Sequence, residues 1–258
     1  MNIRYLVPQL RRARYLKPSV RYLCRELLLR RRVESSYLLR GQGQTINLRH
    51  RTQDVGGITE VLVNGNYDFP AEVHACLGQG RIMAVDLGAN IGLFGVKLFS
   101  QYPDAELVAF EPDPGNADVL ERTVQANGRR ESWRVIRACA ATTDGVVRFR
   151  SGDFLFSRIS DEGVITTALD VFPYLADADL MKIDIEGAEE ALIRDPRFRT
   201  LTARALFLEY HPPITLDEVL DTLRQMQFTC GPVRTKSTPG FGELWAWREV
   251  VEAPVAFS

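Results

Sequence analysis

Histidine is scarce in this chain, three residues in 258, and the four cysteines, Cys24, Cys76, Cys139 and Cys230, form no Cys-x-x-Cys pair. Neither supply matches the ligand spacing of a zinc site, and scattered cysteines suit a reducing compartment better than a disulfide framework. No apolar run approaches the roughly 18 to 20 residues of a membrane-spanning helix. Arginines interrupt the N-terminus "MNIRYLVPQLRRARYLKPSVRYLC" throughout, so the apolar stretch of a secretory signal is missing and a cytoplasmic protein is expected. Internal repeats and low-complexity segments are also lacking. Net charge is nearly absent, at −1, which argues against a surface that is one polyanion-binding field. That average hides an asymmetry: residues 1–40 hold 11 Lys+Arg and 2 Asp+Glu, leaving 21 and 31 for the remainder. The leader is basic and the body acidic.

What the chain does have is enough apolar content, 45%, to bury a core as one domain. We divide it into a basic helical N-terminal extension over residues 1–50 and an α/β domain over 51–258. In the extension, Leu16, Val20, Leu23 and Leu27 recur at helical spacing, and residues 36–50 alternate like short strands. Such a leader fits a helix packed on the body or on a second copy, or an arm on an anionic membrane at the inner surface. Asp54 is expected to cap a short helix reaching Leu62. From Arg81 onward strands and helices alternate as in a parallel sheet: "IMAVDLG", "ELVAFEP", "WRVIRACA", "DLMKIDIEG" and "ARALFLEY" read as strands, with helices near 93–101, 116–127, 188–195 and 216–227. Residues 144–165 read as an antiparallel insertion, and "GELWAWREV" as a closing antiparallel strand at or beside the sheet edge. The fold expected is Rossmann-like, mostly parallel and doubly wound, with ligands at the carboxyl ends of the strands.

The first strand runs into Asp86-Leu87-Gly88-Ala89-Asn90-Ile91-Gly92 and then a helix. The glycines permit a tight turn and Asn90 tolerates unusual backbone angles. A dinucleotide site wants G-x-G-x-x-G so that pyrophosphate can approach the helix N-terminus. Here Asp86 puts a carboxylate where diphosphate needs room, so a cationic ligand is the better partner. Glu111 ends the second strand, 25 positions beyond Asp86, where a carboxylate can accept hydrogen bonds from both ribose hydroxyls. Together the two features favour a sulfonium cofactor over a nicotinamide one.

The stretch "LMKIDIEGAEEA" breaks the apolar rule for a buried central strand. Alternation would put Lys182, Asp184 and Glu186 on one face. Glu189 and Glu190 read as first-turn acids of the following helix, favoured by its dipole. Asp184 and Glu186 could alternatively cap the turn before that helix.

In order and spacing, "VDLGANIG", "AFEPDPGNADVLERTVQANG", "TTALD", "MKIDIEGAEEALI" and "ALFLEYH" resemble the FkbM family of S-adenosylmethionine-dependent methyltransferases, over roughly residues 54–211. The resemblance implies a class I methyltransferase fold and methyl transfer to a hydroxyl of a sugar, glycolipid or natural product. It implies cofactor contacts at Asp86, Gly88, Ala89, Asn90, Gly92, Glu111 and Pro112, with Cys139 and Ala140 framing the adenine and Glu60 and Tyr67 closing over it. An alcohol is a poor nucleophile near neutral pH, so the acceptor needs a base or an electrophile. Asp184, Glu186 or His211 would act as the base, with Lys182 neutralising or orienting Asp184. Alternatively Asp184 and Glu209 would hold Mg²⁺ to lower the alcohol's pKa; of the two, the metal-free base is favoured, because two carboxylates make a thin ligand set. Competing readings are a nucleic-acid methyltransferase, disfavoured because the fourth strand ends in "DIEG" rather than an Asn/Asp-Pro-Pro-aromatic run, and a non-catalytic S-adenosylmethionine-binding module.

Overall fold

A computed structural model describes residues 3–29, 31–150, 158–159, 163–236 and 238–249. At its N-terminus Pro18 interrupts the helical spacing, because proline lacks the N–H that a helix interior needs and biases the preceding residue towards extended geometry. Helix α1 (Ile3–Ala13) therefore gives way to a short strand β1 (Leu16–Lys17), and α2 (Ser19–Leu27) starts anew. The expected apolar face shifts accordingly. Val20 is 72% exposed, whereas Tyr22 and Glu26 turn inward. Strands β2 (Glu34–Leu39) and β3 (Thr45–Arg49), in the region that alternates like short strands, complete a three-stranded antiparallel sheet, so the extension is part helix and part sheet. Tyr22, Tyr37, Ile46 and Leu48 share one apolar cluster with Phe94 and Leu120 of the body. Asn47 and Thr45 donate their amides to Thr123 Oγ1 (3.1 Å) and Asn127 Oδ1 (2.7 Å), which fastens the extension to the body.

Helix α3 (Asp54–Ile58) continues into a π-helical turn over Thr59–Val63. Asp54 does not cap it. Its carboxylate instead receives the Arg49 amide (2.8 Å) and guanidinium (2.8 and 2.9 Å), a bidentate pair that outcompetes a single cap bond. Helix α4 (Ala71–Leu77) leads into the main sheet.

That sheet is laid down by β4 (Met83–Leu87), α5 (Leu93–Gln101), β5 (Glu106–Phe110), α6 (Pro114–Ala126) and β6 (Trp133–Ile136). The stretch "WRVIRACA" does not stay one strand. Its second half, β7 (Cys139–Ala141), joins β8 (Gly145–Arg150), β9 (Arg158–Ile159) and β10 (Val164–Asp170) in a separate sheet of order β7-β10-β8-β9. The expected antiparallel insertion is present as β8 against β9 and β10, and its residues 151–157 and 160–162 lie outside the described residues. The chain then returns through α7 (Phe172–Leu175), β11 (Leu180–Ile183), α8 (Glu189–Arg194), a 3₁₀ turn at Pro196–Thr200, β12 (Ala205–Tyr210), α9 (Leu216–Gln225), β13 (Thr229–Cys230), β14 (Arg234–Thr235) and β15 (Gly242–Trp247).

The order β13-β15-β12-β11-β4-β5-β6 is parallel from β12 to β6, and β15 runs antiparallel to β12. The closing strand is thus antiparallel and stands beside the edge, with β13 and β14 pairing on its outer side. Chain order reverses at β4, between β5 and β11, and a crevice opens there above the strand ends. Helix α5 lies close to the sheet because it carries glycine: a Cβ at Gly95 would lie 2.1 Å from the Trp133 ring. Replacing Gly95 by Val is expected to lower unfolding free energy by about 1–3 kcal/mol through overpacking, which urea denaturation would measure.

Candidate active site

The loop after β4 is strapped to the end of β5. Gly88 and Ala89 donate their amides to Phe110 O at 3.0 and 2.8 Å, and Asn90 donates its amide to Glu111 Oε2 at 2.7 Å. Gly88 has φ +83°, and a Cβ there would fall 1.8 Å from Asp184 O. Glycine at this position therefore lets the loops after β4 and β11 touch, rather than only letting a ligand approach. Glu111 is buried; its other oxygen accepts the Asp113 amide at 2.9 Å. Burial raises its carboxyl to about 7, against the pull of the Asp113 and Asn90 amides.

A cavity of about 1150 Å³ lies over these strand ends. Of the residues expected to hold a cofactor, Gly88, Ala89, Asn90, Glu111, Pro112, Ala140, Glu60 and Tyr67 line it, as does Cys139. Two do not. A Cβ at Gly92 would meet Leu120 and Trp133, and Asp86 lies fully buried beneath the cavity floor. Tyr67 is wedged edge-on against Phe94 and Phe207, with ring centroids 5.6 and 5.0 Å away. The cavity also reaches the N-terminal extension through Gln9, Arg12 and Arg32, and Arg12 Nε donates to Thr59 Oγ1 of the π-helical turn at 2.5 Å.

Asp86 and Lys182 face each other across the β4–β11 ladder. The ammonium lies 3.2 Å from Asp86 and 3.5 Å from Asp184, and it donates to the Gly88 carbonyl at 2.6 Å and the Leu87 carbonyl at 3.3 Å. Burial pulls the Lys182 pKa down, but the adjacent Asp86 carboxylate more than restores it, so the ammonium stays charged. Burial raises the Asp86 carboxyl, whose oxygens form no well-directed hydrogen bond among the described residues. The cation expected to serve Asp184 therefore serves Asp86 first.

Strand β11 ends at Ile183, earlier than the alternation of charges suggests, and Glu186 (φ +55°) and Gly187 (φ +101°) form a left-handed turn. Glu186 consequently reaches the cavity from a turn, not from the strand face. Glu189 holds that turn. Although it opens α8 as the sequence implies, its fully buried carboxylate accepts the Ile185 and Gly187 amides, both at 2.8 Å, and meets His211 Nδ1 at 3.2 Å. Sequence reading assigned it only to the helix dipole. The available signal was a carboxylate two to four residues after turn amides that need an acceptor.

His211 lies off the cavity wall, with Nε2 3.2 Å from Glu209 and 3.5 Å from Glu186. Burial works against its charged form, yet the hydrogen bonds to Glu189 and Glu209 lift it to about 10. For Asp184, burial and then the Glu209 charge raise the pKa to about 6; for Glu186, burial and then Asp184 raise it to about 8. Burial would raise Glu209 too, but His211 and Lys236 hold it below the usual carboxylate range. The expected metal pair is not the group that converges. Glu209 is occupied by Lys236 and His211, whereas ligand atoms of Asp184, Glu186 and His211 lie within 4.8 Å of one another.

Residues 86–230, more than half of the chain, match the Methyltransferase FkbM domain. The chain belongs to the FkbM methyltransferase family. It is 36% identical over 63 residues to Methyltransferase sdnD of Sordaria araneosa, a match covering 24% of this chain and 24% of that relative. The FkbM chain thus spans about a quarter of the length of the curated relative it matches. Among solved structures it is similar to M. jannaschii TYW2 in complex with AdoMet (14% identity, 86% of this chain and 90% of that one, TM-score 0.48). It is also similar to magnesium protoporphyrin IX methyltransferase of Synechocystis PCC 6803 with bound SAM (14% identity, 76% and 81%, TM-score 0.45). Its own sheet has the Rossmann-like layout of class I methyltransferases.

Replacing Lys182 by Met would leave Asp86 buried without its cation. The expected cost is about 3–5 kcal/mol in urea unfolding, partly recovered when Asp86→Asn is added to the same chain.

Proposed function

We propose that this FkbM protein transfers a methyl group from S-adenosyl-L-methionine to a hydroxyl of a sugar, glycolipid or natural-product acceptor. The observation that carries this reading is Asp184, a carboxylate on the cavity wall beside the glycine loop, raised to about 6. Such a group is ionised near neutrality yet basic enough to take a proton.

The chain's residues suit that cofactor. Glu111 Oε1 accepts the Asp113 amide and, at 3.4 Å, Asn116 Nδ2, whereas Oε2 accepts the Asn90 amide and keeps a lone pair for a ribose hydroxyl. Cys139 and Ala140 offer a low wall for a flat base, and the carboxyls of Glu60, Asp184, Glu186 and Glu209 favour a cation over a phosphate. When bound, the cofactor supplies an electrophilic methyl on a sulfonium, open to in-line displacement by oxygen.

Within the chain, Asp184 accepts the hydroxyl proton, and Lys182, 3.5 Å away, fixes its orientation. His211, raised to about 10, is an imidazolium near neutrality and steadies the charge of Glu209; this supports Asp184 over His211 as the base. Glu186, at about 8, still carries a proton near neutrality and can donate a hydrogen bond to the acceptor.

The convergence of Asp184, Glu186 and His211 favours a second reading, in which a hard divalent cation such as Mg²⁺ is held there and activates the alcohol. Such an ion would have to displace the His211 proton. Turnover after exhaustive chelation separates the two: full activity in EDTA removes the metal, and loss restored by Mg²⁺ establishes it.

Asp184→Asn is expected to lower turnover by about 10²- to 10⁴-fold, read as S-adenosylhomocysteine release on a panel of hydroxyl acceptors. Affinity for S-adenosylhomocysteine by calorimetry should stay nearly unchanged. An undiminished rate rejects Asp184 as base, and absence of turnover on every acceptor despite tight cofactor binding favours a non-catalytic binding module. Because the base must be deprotonated, kcat/KM in the wild type should rise with pH through about 6 and level off above it.

A further inference from the structure

The N-terminal segment exposes cations and aliphatic side chains together. Both acids of residues 1–40 are already engaged: Glu26 is buried on His50 at 2.7 Å, and Glu34 is paired with Arg122 at 2.5 Å. The exposed charges of the described residues 6–40 are therefore all cationic, Arg14, Lys17, Arg21, Arg31 and Arg40 among them. On the same elements Val7, Leu10, Val20, Leu28 and Leu38 are exposed at 41–72%, whereas the other exposed large hydrophobics among the described residues, Val146, Val164 and Ile165, lie in the second sheet.

Part of this set is contiguous. Leu38 pairs with Lys17 across the β1–β2 ladder, Arg40 donates to the Tyr15 carbonyl at 2.8 Å and to Ser19 Oγ at 3.0 Å, and Val20 follows Ser19. Val20 lies in the first turn of α2 and Leu28 caps its C-terminus, both of them exposed. On α1, Val7, Leu10 and Arg11 fall at the i, i+3, i+4 positions of one face, and Arg14 follows in the turn after the helix.

We infer that this face docks on an anionic phospholipid surface. Interleaved aliphatic and guanidinium groups match the acyl–headgroup boundary, where apolar burial and attraction to anionic lipid act together. A nucleic acid would be served by aromatic stacking platforms, and among the described side chains of residues 6–40 no aromatic is exposed. A second copy would bring like charges together. No helix among the described residues is long and apolar enough to cross a membrane, so the contact is peripheral.

Co-sedimentation of the intact chain with vesicles of phosphatidylcholine alone, or of equal phosphatidylcholine and phosphatidylglycerol, tests the inference. Binding is expected to the mixed vesicles only, fading as salt shortens the screening length. Arg14→Glu/Lys17→Glu/Arg31→Glu should weaken it on the order of 100-fold. Val20→Asp/Leu28→Asp should abolish it, with the thermal unfolding midpoint of each variant checked against wild type. The inference is overturned if the intact chain ignores the mixed vesicles, binds pure phosphatidylcholine equally, or binds undiminished in both variants. It is also overturned by a dimer in sedimentation equilibrium that Val20→Asp/Leu28→Asp dissociates, or by tighter binding to single-stranded RNA than to the mixed vesicles.

Discussion

Lys182 stands where β4 and β11 run side by side, and almost everything in the crevice is arranged around its ammonium. It neutralises Asp86 below the floor, reaches Asp184 on the wall, and donates to the Gly88 carbonyl of the loop between them. A buried carboxylate and a buried ammonium each cost several kcal/mol to desolvate, so neither is tolerable without the other. Their pairing fixes the register of the two central strands with respect to charge. It also ties the loop that frames the cavity to the carboxylate that faces it, so a displacement of one is felt by the other.

Around this pair the protein accumulates more carboxyls than cations. Glu60, Asp184, Glu186, Glu209 and Glu243 crowd one end of the cavity, and burial raises Asp184, Glu186 and Glu243 to about 6, 8 and 7. Lys236 and His211 draw off part of that charge at Glu209. A wall of this kind disfavours phosphate and favours hydroxyls and cations, and the spread of the raised pKa values separates a group that can accept a proton from one that can lend it. Glu189 makes the spread possible, because it pins both the turn that presents Glu186 and the ring of His211.

The N-terminal segment belongs to the same construction. It shares the core of the body, packs Arg12 on the π-helical turn that carries Glu60, and closes one end of the cavity. The outer side of that segment is basic and aliphatic, while the cavity behind it is acidic.

Much of this was legible in the amino-acid order. The five parallel strands, the glycine loop, Glu111 at the second strand's end and the motif around Asp184 follow from period, turn residues and spacing, which are local properties that backbone geometry enforces within a few residues. The facing of Val20, the capping by Asp54, the surroundings of Gly92 and the strand position of Glu186 were not legible, because each is set by something a strand or helix period does not show: a proline-broken helix, the Arg49 pair, the Trp133 ring and a strand that stops early. The sequence by itself determined which residues form strands, helices and tight turns, and hence the family. Only the tertiary structure decided that Lys182 belongs to Asp86, that Glu189 clamps His211, and that Asp184, Glu186 and His211 converge. Charge pairing in a low-dielectric interior is settled by distances between strands, and these do not exist until the sheet is assembled.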